Sequence, residues 1–269
     1  MTEIHPRAIV ANGATVGAGV RIGPWCQIGP DVVIDDGAEL ISHVVVDGHT
    51  RIGAEAKLWP FCTVGLPPQD LKYRGEPTRT EIGPRTQIRE HCTIHRGTIT
   101  GSGLTRVGAD CLLMAVVHVA HDCLIGDRVI IANNVVMGGH VEIGEAAVIG
   151  GAAALHQFVR VGRGAMVGGM SGVESDIIPF GSVIGNRARL AGLNLVGLKR
   201  RGHERGAINR LRAAFRSLFR DDGSVFAERL ARVRAEYGAD ALVGELLVFI
   251  DAPSQRGLIR TLSDLDLSE

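Results

Sequence analysis

The chain has 269 residues with a formal net charge of zero, and only 4% of them are aromatic while 36 are glycine. This length predicts one or two domains, and the neutral charge argues against a nucleic-acid-binding or membrane-surface protein. No apolar run reaches the roughly 18 residues that span a bilayer, and residues 1–10 lack the basic and apolar regions of a signal peptide, so we expect a cytoplasmic protein.

A six-residue repeat runs through residues 107–173. Each first position is aliphatic, the next is often glycine, and the position four further on is small or β-branched. A period of six fits neither a helix nor a simple strand. It is typical of a left-handed parallel β-helix built from hexapeptide repeats, in which three short strands form one coil. The aliphatic positions are Val107, Leu113, Val119, Ile125, Ile131, Met137, Ile143, Ile149, Leu155, Val161, Val167 and Val173.

Each coil then takes eighteen residues, and residues eighteen apart stack at roughly the 4.8 Å spacing of paired strands. This register places Gly139 one coil from His121, and His140 one coil from Asp122. The five cysteines share the small inward position of the repeat, so we interpret them as buried apolar groups and not as redox or zinc residues. They are Cys26, Cys62, Cys92, Cys111 and Cys123.

The repeat keeps one phase over residues 10–64 and then breaks twice. The first break, about 66–80, is polar and proline-rich, and it predicts an outward loop with a binding role. The second, 97–106, shifts the phase by one residue. Insertions of this kind leave the core of a solenoid intact and tend to gather on one binding face.

The repeat stops after Gly181, and from Leu190 the pattern turns helical, with helices expected at 207–219, from Phe226 to near Gly238, and at 242–250. We therefore divide the chain into a β-helix of residues 1–186 and a small α-helical C-terminal domain of residues 187–269. Residues 187–220 hold ten Lys or Arg against the single acid Glu204. This basic face is either a solvated surface or a site for phosphates or an acidic partner.

The histidines of the central coils predict a site. His118, His121, His140 and His156 lie on neighbouring coils, where stacking brings them to one side. His121 beside Asp122 suits a general base oriented by a carboxylate, provided that a corner turns both side chains the same way. The Gly139 N–H, one coil away, is placed to hold an oxyanion. These residues indicate acyl transfer by direct attack, without a covalent enzyme intermediate.

Several segments resemble the bacterial UDP-N-acetylglucosamine O-acyltransferase family, which performs the first committed step of lipid A synthesis. The resemblance covers about the whole chain, and QDLKYRGEPTR, HVAHDC and GLKRRG are its most specific parts. The segments are SHVVVDGHT (42–50), QDLKYRGEPTR (69–79), IHRGT (94–98), HVAHDC (118–123), GGHVEIG (138–144), LHQFVRVG (155–162) and GLKRRG (197–202).

The resemblance implies that His121 is the base on the sugar 3-hydroxyl, Asp122 its orienting group and the Gly139 N–H the oxyanion donor. It also implies a 3-hydroxyacyl donor on acyl carrier protein, a homotrimer with sites between chains, and no cofactor or metal. Gly169 would gate acyl length and leave room for a longer chain. The family often has Glu where Val196 stands, so a nucleotide contact made by that carboxylate is absent or replaced here. The expected sugar-nucleotide contacts are Asp70, Lys72, His118, His140, His156, Gln157, Asn194, Arg200 and Arg201.

Four rival functions remain open from the sequence. An N-acyltransferase of the same pathway would need an N-terminal uridine-binding domain, for which the early start of the repeat leaves no room, although a 3-amino sugar acceptor stays open. A coenzyme A acetyltransferase would not need the 66–80 loop. A γ-carbonic-anhydrase-like zinc enzyme needs three converging histidines, and the spacing of His118 and His121 does not match that arrangement. A plain scaffold would not predict clustered histidines.

Overall fold

The structure is a computed structural model that describes residues 1–220 and 222–261. Within that range the strands form three sheets, called A, B and C here, and successive strands pass from A to B to C and back to A. All pairings within the three sheets are parallel except that of the last two strands of sheet A. The chain is therefore a triangular β-helix, and its prediction from the six-residue period is confirmed.

Most strands contain two residues, of which the second points inward. Sheet A contains β1 (Glu3–Ile4), β4 (Arg21–Ile22), β7 (Glu39–Leu40), β10 (Lys57–Leu58), β13 (Gln87–Ile88), β16 (Leu112–Leu113), β19 (Ile130–Ile131), β22 (Val148–Ile149), β25 (Met166–Val167), β27 (Gly181–Ile184) and β28 (Arg189–Leu193). Sheet B contains β2 (Ile9–Val10), β5 (Gln27–Ile28), β8 (Val45–Val46), β11 (Thr63–Leu66), β14 (Thr93–His95), β17 (His118–Val119), β20 (Val136–Met137), β23 (Ala154–Leu155) and β26 (Gly172–Val173). Sheet C contains β3 (Thr15–Val16), β6 (Val33–Ile34), β9 (His49–Ile52), β12 (Arg79–Ile82), β15 (Leu104–Val107), β18 (Leu124–Ile125), β21 (Glu142–Ile143) and β24 (Arg160–Val161).

The register follows the eighteen-residue coil. His118 pairs with Val136, and Leu124 pairs with Glu142. The interior is a column of buried aliphatic side chains, each of which contributes about 1.5–3 kcal/mol on full burial. The five cysteines are buried in the same column and have free thiols, as predicted.

The two breaks are loops at the same corner, between sheets B and C. The first loop, residues 67–78, joins β11 to β12 and agrees with the prediction. The second, residues 96–103, joins β14 to β15. We call this edge of the solenoid, with both loops, the B–C corner.

The helical part is made of α1 (Leu195–Arg200), α2 (Arg205–Phe219), α3 (Phe226–Tyr237) and α4 (Ala241–Asp251). The prediction that helix begins at Leu190 is wrong, because residues 189–193 form β28 against β27. The predicted boundary after residue 186 falls in the turn of that hairpin. Residues 221 and 262–269 of the predicted C-terminal domain lie outside the described residues.

Helix α4 is fixed to the last coils by charged pairs. Arg163 makes a bidentate ion pair with Glu245 at 2.7 and 2.6 Å. Arg160 lies over the ring of Phe249 with its guanidinium carbon 4.5 Å from the ring centroid. No helix among residues 1–220 and 222–261 is long and apolar enough to cross a membrane.

Candidate active site

The B–C corner turns two adjacent side chains toward each other. Asp122 has a φ of 60°, a left-handed conformation that reverses the usual alternation of a strand. As a result His121 Nδ1 lies 2.9 Å from Asp122 Oδ2. The pairing expected from the sequence therefore forms, on a carboxylate whose side chain is fully buried.

Asp122 is held by the second loop. Thr98 donates its hydroxyl to Oδ2 at 2.6 Å and its N–H at 3.1 Å, while the Gly103 N–H and the Ser102 hydroxyl reach Oδ1 at 3.1 and 3.2 Å. Burial alone would raise the pKa of Asp122, but the hydrogen bonds from the His121 ring and from the hydroxyl and N–H of Thr98 outweigh it and lower the pKa to about 2. An ionised carboxylate only accepts hydrogen bonds, so in the neutral His121 ring Nδ1 carries the proton and Nε2 has a free lone pair.

Gly139 lies against the His121 ring, as the eighteen-residue register predicted. A Cβ built on Gly139 would lie 2.5 Å from Cε1 and 2.7 Å from Nε2 of His121. Among the hydrogen bonds of the described residues, the Gly139 N–H has no acceptor. An unpaired N–H beside a free imidazole nitrogen is the arrangement that a base-assisted acyl transfer needs.

Gly139→Ala should lower kcat by about 100-fold with little change in melting temperature. The backbone of Gly139 is not in the left-handed region, so alanine is tolerated there, but its methyl group must displace the His121 ring. Circular dichroism melts and steady-state rates check this. Gly244→Ala is the matched control, because its Cβ would come no closer than 3.7 Å to Gly238 O. Equal rates in the two variants would contradict the expectation.

Two more predicted histidines flank the pair. His140 stacks on Phe158 with ring centroids 4.4 Å apart, and it meets the His121 ring edge-on at 5.1 Å. His118 Nδ1 lies 2.7 Å from the Thr93 hydroxyl. Burial lowers the pKa of both His118 and His140. Both rings are thus neutral hydrogen-bonding groups near neutral pH.

His95 also belongs to this cluster, although no role was predicted for it from the sequence. Its ring centroid lies 5.0 Å from that of His118, and its buried Nδ1 has no hydrogen-bond partner among the described residues. Burial, followed by the neighbouring His118 and His121, lowers the pKa of His95 to about 4. The sequence did contain a signal for it. His95 lies in the segment IHRGT, and the β14–β17 register places it one coil before Ala120, next to His121.

Stability should therefore fall on acidification between pH 6.5 and 4, since the unfolded state binds a proton at His95 that the folded state excludes. Between pH 7 and pH 5 this residue should account for about 1–2 kcal/mol of the loss. Urea unfolding of wild type and His95→Asn at both pH values, at one protein concentration, measures it. The same pH difference in both proteins would contradict the assignment.

His156 and Gln157 lie one coil beyond Gly138 and Gly139, at the same corner. Both are exposed, and both are contacted by Arg256 from the chain after α4: its guanidinium contacts His156 Nδ1, and its Nε donates to Gln157 O at 2.7 Å. The sequence did not predict Arg256, because its contact with residue 156 spans about a hundred positions.

Asp70 and Lys72 lie in the first loop at this corner. Asp70 is half-buried and accepts the Lys72 N–H at 2.9 Å, and Lys72 is exposed. The negative charge of Asp70 acts on the pKa of His140 and partly offsets the lowering by burial. The loop thus brings a carboxylate near the histidine cluster.

The other four predicted residues lie elsewhere in a single chain. Gly169 is at the corner between sheets A and B, where its Cβ would meet only Gly151. Asn194 and Arg201 bind the Gly164 carbonyl, at the corner between sheets C and A, at 3.0 and 3.3 Å. Arg200 and Val196 are exposed on α1. One chain therefore does not bring these residues together with His121.

His121, Asp122 and His140 also have ligand atoms within 4.8 Å of one another, so a metal must be considered. The oxygens of Asp122 already accept N–H and O–H groups from the second loop and from His121. A cation would have to displace these donors from a fully buried carboxylate. The donor set fits an imidazole–carboxylate pair better than a zinc site.

A hexapeptide β-helix with an oriented histidine at a corner defines a protein of the hexapeptide transferase class. The repeat model of bacterial transferases matches residues 104–139, and the model of UDP-N-acetylglucosamine O-acyltransferase, domain 2, matches residues 176–259. The chain is 49% identical over 255 residues to the acyl-(acyl-carrier-protein)–UDP-N-acetylglucosamine O-acyltransferase of Azorhizobium caulinodans, covering 95% of this chain and 94% of that protein. The same enzyme of Rhizobium johnstonii is 46% identical over 95% of this chain and 94% of its own length.

Solved structures agree along the whole length. LpxA from Acinetobacter baumannii is 40% identical and superposes with a TM-score of 0.91 over 96% of this chain and 99% of its own. The UDP-N-acetylglucosamine acyltransferase of Francisella novicida is 32% identical with a TM-score of 0.92, over 99% and 97% of the two chains. The chain belongs to the UDP-N-acetylglucosamine O-acyltransferase family.

Proposed function

We propose that this protein transfers a 3-hydroxyacyl chain from acyl carrier protein to the 3-hydroxyl of UDP-N-acetylglucosamine, the first step of lipid A synthesis. The observation that carries the proposal is the His121–Asp122 pair beside the unpaired Gly139 N–H. The names of the relatives supply the donor and acceptor. We place the reaction in the cytoplasm, where acyl carrier protein and nucleotide sugars are made.

The reaction is a direct displacement. Nε2 of His121 accepts the proton of the 3-hydroxyl as its oxygen attacks the thioester carbon. The Gly139 N–H stabilises the oxyanion of the tetrahedral intermediate, and ionised Asp122 stabilises the imidazolium. Collapse breaks the carbon–sulfur bond, and the leaving thiolate takes the proton from His121. No covalent enzyme intermediate is needed.

The first loop and the histidines supply acceptor binding in this proposal. Asp70 and Lys72 contact the sugar nucleotide with His118, His140, His156 and Gln157. Asn194, Arg200 and Arg201 bind the nucleotide or its phosphates, and the surrounding basic face binds the acidic carrier protein. Val196 offers no hydrogen bond in place of the family glutamate.

We further propose a homotrimer. Asn194 and Arg201 lie at the corner between sheets C and A, whereas His121 lies at the B–C corner, so they reach His121 only from a second copy. Sheets A and B and the corner between them carry exposed apolar side chains that support such an interface. Their exposed fractions are 49% for Val116, 38% for Ile130, 48% for Val136 and 73% for Met170. Gly169 lies at this corner, and its missing side chain favours donors with longer acyl chains.

The test is an acylation assay with UDP-N-acetylglucosamine and 3-hydroxyacyl carrier proteins of several chain lengths, followed by mass spectrometry of the sugar nucleotide. We expect an O-acylated product and a molar mass of three chains by light scattering. If a 3-amino analogue is acylated far faster than the 3-hydroxyl sugar, the 3-amino sugar nucleotide is the acceptor and the proposed acceptor is wrong. No transfer to either acceptor would end the proposal.

A further inference from the structure

Within residues 1–220 and 222–261, hydrogen bonds connect the first loop to the solenoid only at its ends. Among the described residues, every hydrogen bond made by positions 67–77 stays within the loop and its last residue, Thr78. The hydroxyl of Tyr73, for example, donates to Glu76 O at 2.7 Å within the loop. The loop therefore has its own shape, and its ends determine where that shape sits over the corner.

The start of the loop is a glycine bulge. Gly65 has a φ of 77°, and the register of β11 on β14 shifts across it. A Cβ at Gly65 would lie 1.9 Å from Thr50 Oγ1, so only glycine fits. The bulge turns the Gly65 carbonyl toward Arg96, whose Nε donates to it at 2.6 Å.

Arg96 and its neighbour bind both ends of the loop. The Arg96 N–H donates to Leu66 O at the start, and the Gly97 N–H donates to Arg79 O at the end, both at 3.2 Å. The side chain of Arg96 is 11% exposed, and its Nη2 lies 3.0 Å from Asp47 Oδ2. A Cβ at Gly48 would lie 2.4 Å from Arg96 Cζ, so Gly48 leaves the space that the guanidinium fills.

The same segment lies directly under the catalytic pair. Thr93 pairs with His118 and Ile94 with Val119, which puts Arg96 one coil before His121. His95, the residue before Arg96, contacts the ring of His118. A shift of Arg96 would thus move the loop that carries Asp70 relative to the histidines.

We propose that Arg96, anchored by Asp47, is a positioning residue that sets the first loop for binding of the sugar nucleotide. This inference rests on the proposed function, since the loop carries the Asp70 and Lys72 contacts. In this proposal Arg96 acts without contacting either substrate. Its guanidinium acts through the Gly65 carbonyl, and a charge-assisted hydrogen bond of this kind is among the stronger ones in a protein.

Arg96→Gln should raise KM for UDP-N-acetylglucosamine about tenfold and leave kcat within about threefold, because uniform substrate binding is lost and the base is untouched. Arg96→Lys should recover part of the loss. Arg85→Gln is the matched control: Arg85 makes a bidentate pair with Asp110 at 2.7 and 2.8 Å, at the corner between sheets C and A. This control should keep the wild-type KM.

Limited trypsin digestion gives a readout that needs no acyl transfer. Cleavage after Lys72 and Arg74, both exposed in the loop, should be about tenfold faster in Arg96→Gln, and Asp47→Asn should shift it the same way with the fold intact. The proposal would be overturned if Arg96→Gln were cleaved at the wild-type rate, or if it were cleaved faster but kept the wild-type KM. It would also be overturned if Arg96→Gln and Asp47→Asn both lost kcat together with melting temperature. An inactive wild type with faster cleavage in Arg96→Gln would refute the proposed function while leaving the loop contact in place.

Discussion

His121→Ala is expected to lower kcat for acyl transfer by about 10²–10⁴-fold, the usual effect of removing a general base. The side chain is 12% exposed and is hydrogen-bonded to Asp122, so its removal opens space at a corner and leaves the interior column intact. Steady-state rates with UDP-N-acetylglucosamine and a 3-hydroxyacyl carrier protein measure the loss, with light scattering to confirm the oligomer.

His5→Ala is the control for this variant. His5 is exposed in the first coil, directly after β1 of sheet A and away from the B–C corner loops, so its removal should leave the rate unchanged. A near wild-type rate in His121→Ala, at normal oligomeric state, would remove the base from the mechanism. A loss of the oligomer in that variant alone would instead assign His121 to assembly.

Asp122→Asn should lower kcat by at least about 100-fold and also destabilise the protein. The amide cannot accept from Nδ1, Thr98 and Gly103 as a carboxylate does, and its NH2 group would face these donors. A buried polar group left without a partner costs about 1–3 kcal/mol, and the wrong imidazole tautomer removes the free Nε2 lone pair. Rates and urea unfolding measure the two effects separately.

Asp127→Asn is the control for this second variant. Asp127 lies on the next corner and accepts the Ala109 N–H at 2.8 Å, without a histidine partner. It should keep the wild-type rate. Because the pKa of Asp122 is about 2, the carboxylate stays ionised throughout the pH range of an assay, and the acidic limb of the wild-type rate profile must come from other groups. Equal rates in Asp122→Asn and Asp127→Asn would contradict the assigned role.

The sequence predicted those contacts that the six-residue period controls. The stacking of Gly139 on His121 and the inward cysteines follow from counting residues, because each coil pairs only with its neighbours. The pairing of His121 with Asp122 was predicted only on the condition of a corner, which the structure supplies. The two loops were also located, since a polar insertion interrupts the period visibly.

The period carried no information about the contents of the loops or about contacts across the chain. The donors from Thr98 and Ser102 to Asp122 depend on how an irregular segment folds back. Residues 190–193 of β28 were predicted as helix because their apolar side chains run on into the apolar residues of α1. The contact of Arg256 with His156 joins segments about a hundred residues apart, which no local pattern specifies.

The most direct test is a crystal structure of the protein with UDP-N-acetylglucosamine bound. The quantity that matters is the distance from the sugar 3-hydroxyl oxygen to His121 Nε2. We expect a hydrogen bond of about 2.6–3.2 Å. The Gly139 N–H should face the space beside this hydroxyl in which the thioester carbonyl is attacked. A sugar bound at another corner, or with its 3-hydroxyl turned away from His121, would contradict the mechanism.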